Sequence, residues 1–139
     1  MKEQINIEKE NFPPLSEEEE RIGKIIVDCA YKVHLELGPG LLEKIYEACF
    51  VHELRKAGLD AQRQVPVNIT YDGIIFDEGL RIDTYVNKTV ICELKAQKGM
   101  DPIWEAQLLS HMKLTNKRLG YLIIFNVALI KDGIKRKII

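Results

Sequence analysis

At Gly58 the hydrophobic pattern of this chain changes period, and that change dictates the kind of fold available to it. Upstream, apolar residues recur every three or four positions: Ile22, Ile25, Ile26, Cys29, Ala30, Val33 and Leu37, then Leu42, Ile45, Cys49 and Leu54. Such spacing lines one face of an α-helix. Ser16 with Glu19 three residues later makes a capping box, and the acidic run Glu17 to Glu20 suits a helix's positive end. Gly38-Pro39-Gly40 then breaks the helix at a tight corner, and a second helix over 41–57 ends at Gly58.

Downstream, segments near 64–71, 79–86 and 89–96 read as strands, turning at Asp72-Gly73 and near Asn87-Lys88 into an antiparallel meander. A third helix is predicted from Pro102 to about Asn116, on the spacing of Ile103, Ala106, Leu109, Met112 and Leu114. A strand over 119–127 follows, and Asp132-Gly133 turns the chain into a short last strand over 134–139. The order ααβββαββ is that of an α/β sandwich forming one domain over 16–139, preceded by a polar leader over 1–15 that Pro13-Pro14 closes.

A chain of 139 residues has room for one apolar core and hence one principal site. No apolar run approaches the roughly 20 residues a membrane helix needs, and the leader lacks the pattern of a secretory signal, so the cytoplasm is the expected location. Cys29, Cys49 and Cys92 are odd in number, widely spaced and set in apolar stretches, which fits reduced thiols rather than disulfides or zinc ligands. The net charge is only −1, but residues 1–87 hold 10 Lys and Arg against 17 Asp and Glu, whereas residues 88–139 hold 10 against 4. A basic face for phosphates and a merely solvated basic surface both explain that asymmetry.

Glu93 and Lys95 interrupt the most apolar stretch of the middle region, Val90-Ile91-Cys92 and Leu94. Side chains alternate along a strand, so the carboxylate and the ammonium share one face. Asp83 on the preceding strand joins them only if the hairpin register allows it. A two-residue loop at Asn87-Lys88 pairs Asp83 with Cys92 and separates the carboxylates, whereas a three-residue loop, Asn87 to Thr89, pairs Asp83 with Glu93. The odd register, or an equivalent bulge, is expected. Two adjacent carboxylates repel unless a cation joins them, and hard oxygen donors suit Mg²⁺ or Mn²⁺. An ammonium beside that cation can orient water and stabilise charge building on phosphorus. An ordinary cross-strand ion pair, worth at most about 1 kcal/mol, explains the same three residues.

The set Asp83…Glu93-Leu94-Lys95 resembles the signature of the PD-(D/E)xK nuclease superfamily. Upstream, Gly40-Leu41-Leu42-Glu43-Lys44-Ile45-Tyr46 resembles the motif of the bacterial GxxExxY proteins, a branch of that superfamily, and the likeness runs through Arg81-Ile82-Asp83, Gln107-Leu108-Leu109 and Leu122-Ile123-Ile124-Phe125-Asn126, over roughly residues 20–139. It implies a restriction-endonuclease-like αβββαβ core, a central mixed sheet flanked by helices, with an extra N-terminal helix. It further implies that Asp83, Glu93 and Glu43 bind the metal, that Lys95 assists catalysis, and that Gln107 fixes the site or contacts substrate. Gly40, Glu43 and Tyr46, three residues apart, are expected on one helix face, with Tyr46 a candidate substrate contact. Where relatives commonly carry tyrosine, four residues after the glutamine, this chain has His111, which can still donate a hydrogen bond or touch a phosphate.

Lys113, Lys117 and Arg118 cluster near the end of the third helix as candidate phosphate contacts, and Lys131, Lys135, Arg136 and Lys137 follow on the last strands. Trp104 suits core packing or base stacking, and His34 and His52 carry no ligand-like spacing. The resulting expectation is a nuclease in which a metal-activated water attacks phosphorus in nucleic acid, with DNA the favoured substrate and a homodimer allowed. The alternative is a catalytically silent nuclease-fold module that binds nucleic acid or a protein.

Overall fold

A computed structural model describes residues 12–139, which form three helices and one mixed five-stranded sheet. Helices α1 (Glu17–Leu37) and α2 (Glu43–Lys56) come first. The strands β1 (Ala61–Tyr71), β2 (Ile74–Val86) and β3 (Val90–Lys95) follow. Helix α3 (Pro102–Thr115) then leads to β4 (Leu119–Ile124), a 3₁₀ turn (Ile130–Asp132) and β5 (Ile134–Ile138). Most of the expected leader, residues 1–11, lies outside the described residues. No helix among the described residues is long and apolar enough to cross a membrane.

The capping box is formed as predicted: the Glu19 N–H donates to Ser16 Oγ at 3.0 Å, and the Ser16 N–H donates to Glu19 Oε1 at 2.8 Å. Two orphan donors at the end of α1 are thereby satisfied. Helix α2 starts at Glu43 rather than near Leu41, so Gly40, at φ +103°, lies in the corner before the helix and not on a face with Glu43 and Tyr46. The Gly38-Pro39-Gly40 break extends further than the apolar spacing suggested.

The strands run in the spatial order β1-β2-β3-β4-β5. Only β3 and β4 are parallel, because only they are joined by a helical crossover, α3. The β1–β2 hairpin is longer than the sequence indicated and pairs up to Tyr71 and Ile74. Asp72 (φ 51°) and Gly73 (φ 76°) both take left-handed conformations, the pattern of a turn whose twist matches its strands, so pairing continues to the turn. At the other end, β4 stops at Ile124 instead of Val127: the Phe125 N–H makes the last bond to β3, at the Lys95 carbonyl (2.8 Å), and the Val127 N–H closes back on Phe125 (2.9 Å).

Helices α1 and α2 cover one face of the sheet, burying Ile26, Val33, Phe50 and Leu54 against Val90, Cys92, Leu94, Ile123 and Phe125. Helix α3 covers the other, where Trp104, Leu108 and Met112 meet Ile82, Ile91, Leu122 and Ile124. Its close approach depends on Gly120, where a Cβ would come within 2.7 Å of Met112 Sδ. That proximity brings the middle of α3 down onto β3, and with it the residues that meet Glu93 and Lys95.

Candidate functional site

The β2–β3 hairpin has the odd register. Val86 pairs with Val90, Tyr85 with Ile91 and Thr84 with Cys92, leaving Asn87, Lys88 and Thr89 as a three-residue loop. Asn87 (φ 52°) and Lys88 (φ 48°) make the left-handed turn, and Thr89 is the extra residue that shifts the parity. The ladder ends at the Thr84–Cys92 pair, beyond which Asp83 still lies close enough to Glu93 for its charge to act on that carboxyl. There the side chain of Asp83 intervenes, its Oδ2 accepting the Leu94 N–H at 3.0 Å. The carboxylate is thus fixed to the backbone between Glu93 and Lys95.

Glu93 is 5 % exposed, and burial raises its carboxyl from the ordinary 4.5 to about 7. A hydrogen bond from His111 opposes that rise, while the charge of Asp83 adds to it. His111 Nδ1, on α3, lies against Glu93 Oε1. A buried carboxyl flanked by a second carboxylate is strained towards the neutral form, and a cation placed between them would reverse that tendency.

Lys95 is half-buried, with its ammonium 5.7 Å from the centroid of the Trp104 ring on α3. A cation over an indole face is held by the ring's quadrupole, so Trp104 packs in the core and also orients Lys95. Glu43 opens α2 at the exposed rim. Its carboxyl is raised by burial and by Asp83, and lowered by Lys95, which places all three groups within one electrostatic neighbourhood. Gln107 is exposed one turn before His111 on α3 and makes no hydrogen bond to a described residue.

Other expected contacts have different posts. Tyr46 is fully buried, stacked on Phe125 with centroids 4.6 Å apart. Its hydroxyl donates to the Gly38 carbonyl at 2.5 Å and accepts the Leu41 N–H at 3.1 Å, so it braces the α1–α2 corner and offers no atom to a substrate. The Arg118 guanidinium donates to the carbonyls of Ile139 (3.1 Å), Pro14 (3.0 Å) and Pro13 (2.5 Å), tying both ends of the described chain together. These bonds give Arg118 a structural role at the join of the chain ends, beside any contact it makes to phosphate. Arg136 and Lys137 are paired with Glu20 and Glu105, each at 3.0 Å. Lys113, exposed on the last turn of α3, and Lys117, half-buried just after it, pair with no described acid.

Sequence reasoning missed Glu47, which is 3 % exposed and holds Arg63 Nε on Oε1 and Gln64 Nε2 on Oε2, both at 2.8 Å. This contact locks α2 to β1 and sets where Glu43, one turn earlier, stands. The signal lay in the spacing: Glu43 and Glu47 at i and i+4 repel on a helix unless one of them has a partner elsewhere. A cavity of about 480 Å³ between α1 and α2, lined by Lys32, Glu36, Cys49, His52 and Glu53, includes none of these site residues.

Among the described residues, no three His, Cys, Asp or Glu side chains converge tightly enough to enclose a metal ion. The donor chemistry nevertheless fits Mg²⁺, which keeps several waters and commonly takes only one or two carboxylates from protein. Asp83 and Glu93 are the two carboxylates that could hold such an ion, and the charge of Asp83 also acts on Glu43. In sequence comparison, a family model described as the PD-(D/E)XK nuclease superfamily matches residues 20–137. The searches of curated proteins and of solved structures return no match.

Proposed function

The chain belongs to the PD-(D/E)XK nuclease superfamily, and on that premise we propose that it is a metal-dependent phosphodiesterase acting on nucleic acid, with DNA the preferred substrate. What supports this reading is the three-residue β2–β3 loop, together with the Asp83 carboxylate that accepts the Leu94 N–H between Glu93 and Lys95 and acts on the Glu93 carboxyl. Within the superfamily, the run Gly40 to Tyr46 favours the GxxExxY branch. Two buried thiols and one half-buried one, all free, suit a reducing compartment such as the cytoplasm.

In this reading Asp83 and Glu93 hold Mg²⁺ or Mn²⁺, which when bound supplies Lewis-acid charge and makes water a better nucleophile at neutral pH. Lys95, steadied by Trp104, sets its ammonium beside the reacting phosphate and stabilises the negative charge that grows on phosphorus. Glu43, whose raised carboxyl accepts a proton near neutral pH more readily than an ordinary glutamate, orients the attacking water. Lys113 and Lys117 offer phosphate contacts at the end of α3.

The test is cleavage of single-stranded, duplex and branched DNA with Mg²⁺ or Mn²⁺, comparing the unaltered chain with Asp83→Ala. Metal-dependent cleavage that the substitution abolishes supports the reading, and equal cleavage by the two chains defeats it. Metal uptake without turnover on any substrate points instead to a nuclease-fold module that binds without cutting.

A further inference from the structure

The contact between His111 and Glu93 has a chemical consequence that the superfamily signature does not contain. A carboxylate offers two oxygens. Glu93 Oε1 lies against His111 Nδ1, which leaves Oε2 without that partner. We propose that His111 is a positioning residue for the metal: its Nδ1–H holds one oxygen of Glu93 so that the other is presented, singly and in a fixed direction, to a divalent cation shared with Asp83.

Several features support the assignment. His111 sits on the α3 face that also bears Trp104, two turns earlier, so one rigid helix steadies both polar side chains of β3, Glu93 through His111 and Lys95 through Trp104. The helix itself is pinned to the sheet by the close contact at Gly120. At its end, Thr115 Oγ1 donates to the His111 carbonyl at 2.7 Å, fixing the turn from which the imidazole projects. Asp83 is immobilised in parallel by the Leu94 N–H. Each carboxylate therefore has one oxygen held by the protein, as outer hydrogen bonds hold metal-binding side chains elsewhere, and the two carboxyls face each other.

A competing role is simple neutralisation, in which His111 relieves a buried carboxylate and would have to give way before a cation could bind. The two roles differ in sign. If His111 positions Glu93, removing its N–H weakens metal binding; if it competes with the metal, removing it strengthens binding.

The inference rests on Asp83 and Glu93 holding the metal. The experiment is calorimetric titration of Mn²⁺ into the unaltered chain, His111→Phe, His111→Ala and His111→Asn, with circular dichroism to confirm that each is folded. His111→Phe keeps a ring without a donor; His111→Asn keeps a donor near the Nδ1 position. With the imidazole side chain 20 % exposed, a smaller residue is accommodated even if the phenyl ring is not. The expected result is Mn²⁺ affinity lower by about 10- to 100-fold in the Phe and Ala variants, with His111→Asn restored towards the unaltered chain. Equal or tighter binding by the Phe and Ala variants overturns the positioning role and leaves the metal site standing. Absence of Mn²⁺ uptake by the unaltered chain overturns the metal site and, with it, this role.

Discussion

The two faces of the sheet are built on different terms. On the α1–α2 side twenty of the described residues are buried in one apolar cluster, in which Phe125 stacks on Tyr46 and meets Phe50 edge-on at 6.4 Å. On the α3 side seven of the described residues form the buried cluster, and beside them stand Glu93, Lys95 and His111. The same strand, β3, serves both: Val90, Cys92 and Leu94 enter the first cluster, while Ile91 enters the second. The contrast teaches that the closed face supplies stability and thereby allows the other to carry groups that are costly to bury.

The comparison can be challenged from the closed side first. Phe125→Ala removes the ring on which Tyr46 stacks and should lower stability by about 3–5 kcal/mol, read as a denaturation midpoint. A loss below 1 kcal/mol would show that the apolar face is not the stabilising one. On the α3 face the effect should fall on turnover instead. Lys95→Met keeps an unbranched side chain against Trp104 but removes the charge, so cleavage should drop by about 10²–10³-fold. The denaturation midpoint should stay nearly unchanged. A variant that cuts at the original rate would remove Lys95 from the chemistry.

A third outcome depends on pH. Because Glu93 is raised in the folded chain to about 7 from 4.5, the folded state carries the extra proton between those values. Stability of the metal-free chain therefore falls as pH rises through that window, by about 3 kcal/mol in total. Below 4.5 both states are protonated and there is no effect; above 7 the full penalty remains. Glu93→Gln should flatten this fall in urea titrations at pH 4.5 and 8. Parallel profiles for the two chains would contradict the assigned cost. The smallest effect belongs to Thr84, whose buried Oγ1 has no hydrogen-bond partner among the described residues. Thr84→Val should raise stability by about 1 kcal/mol in the same titration, and a loss of that size would reveal an unrecognised partner.

What the sequence disclosed was largely local. Ser16 and Glu19 named the start of α1 because a capping box is a contact within one turn. Glu93 and Lys95 stood out because a charge in an apolar strand needs a reason, and parity arithmetic reduced their relation to Asp83 to the length of one loop. The remaining features depend on contacts distant in sequence. Arg118 reaches Pro13 and Pro14 across more than a hundred positions, so its basic neighbours gave no sign of that structural role. Tyr46 follows the motif spacing, yet the packing of Phe125 draws it inward. His111 was visible on the same helix face as Gln107, but which carboxylate it meets depends on how closely α3 settles at Gly120.

The proposal turns on Asp83 and Glu93 together forming a cation site on the α3 face. It is tested most directly by growing crystals, soaking them with Mn²⁺ and measuring anomalous scattering. The account requires a peak between the two carboxylates, with Lys95 alongside and His111 still on Glu93 Oε1. A Mn²⁺ peak elsewhere on the molecule, with none between Asp83 and Glu93, would contradict it.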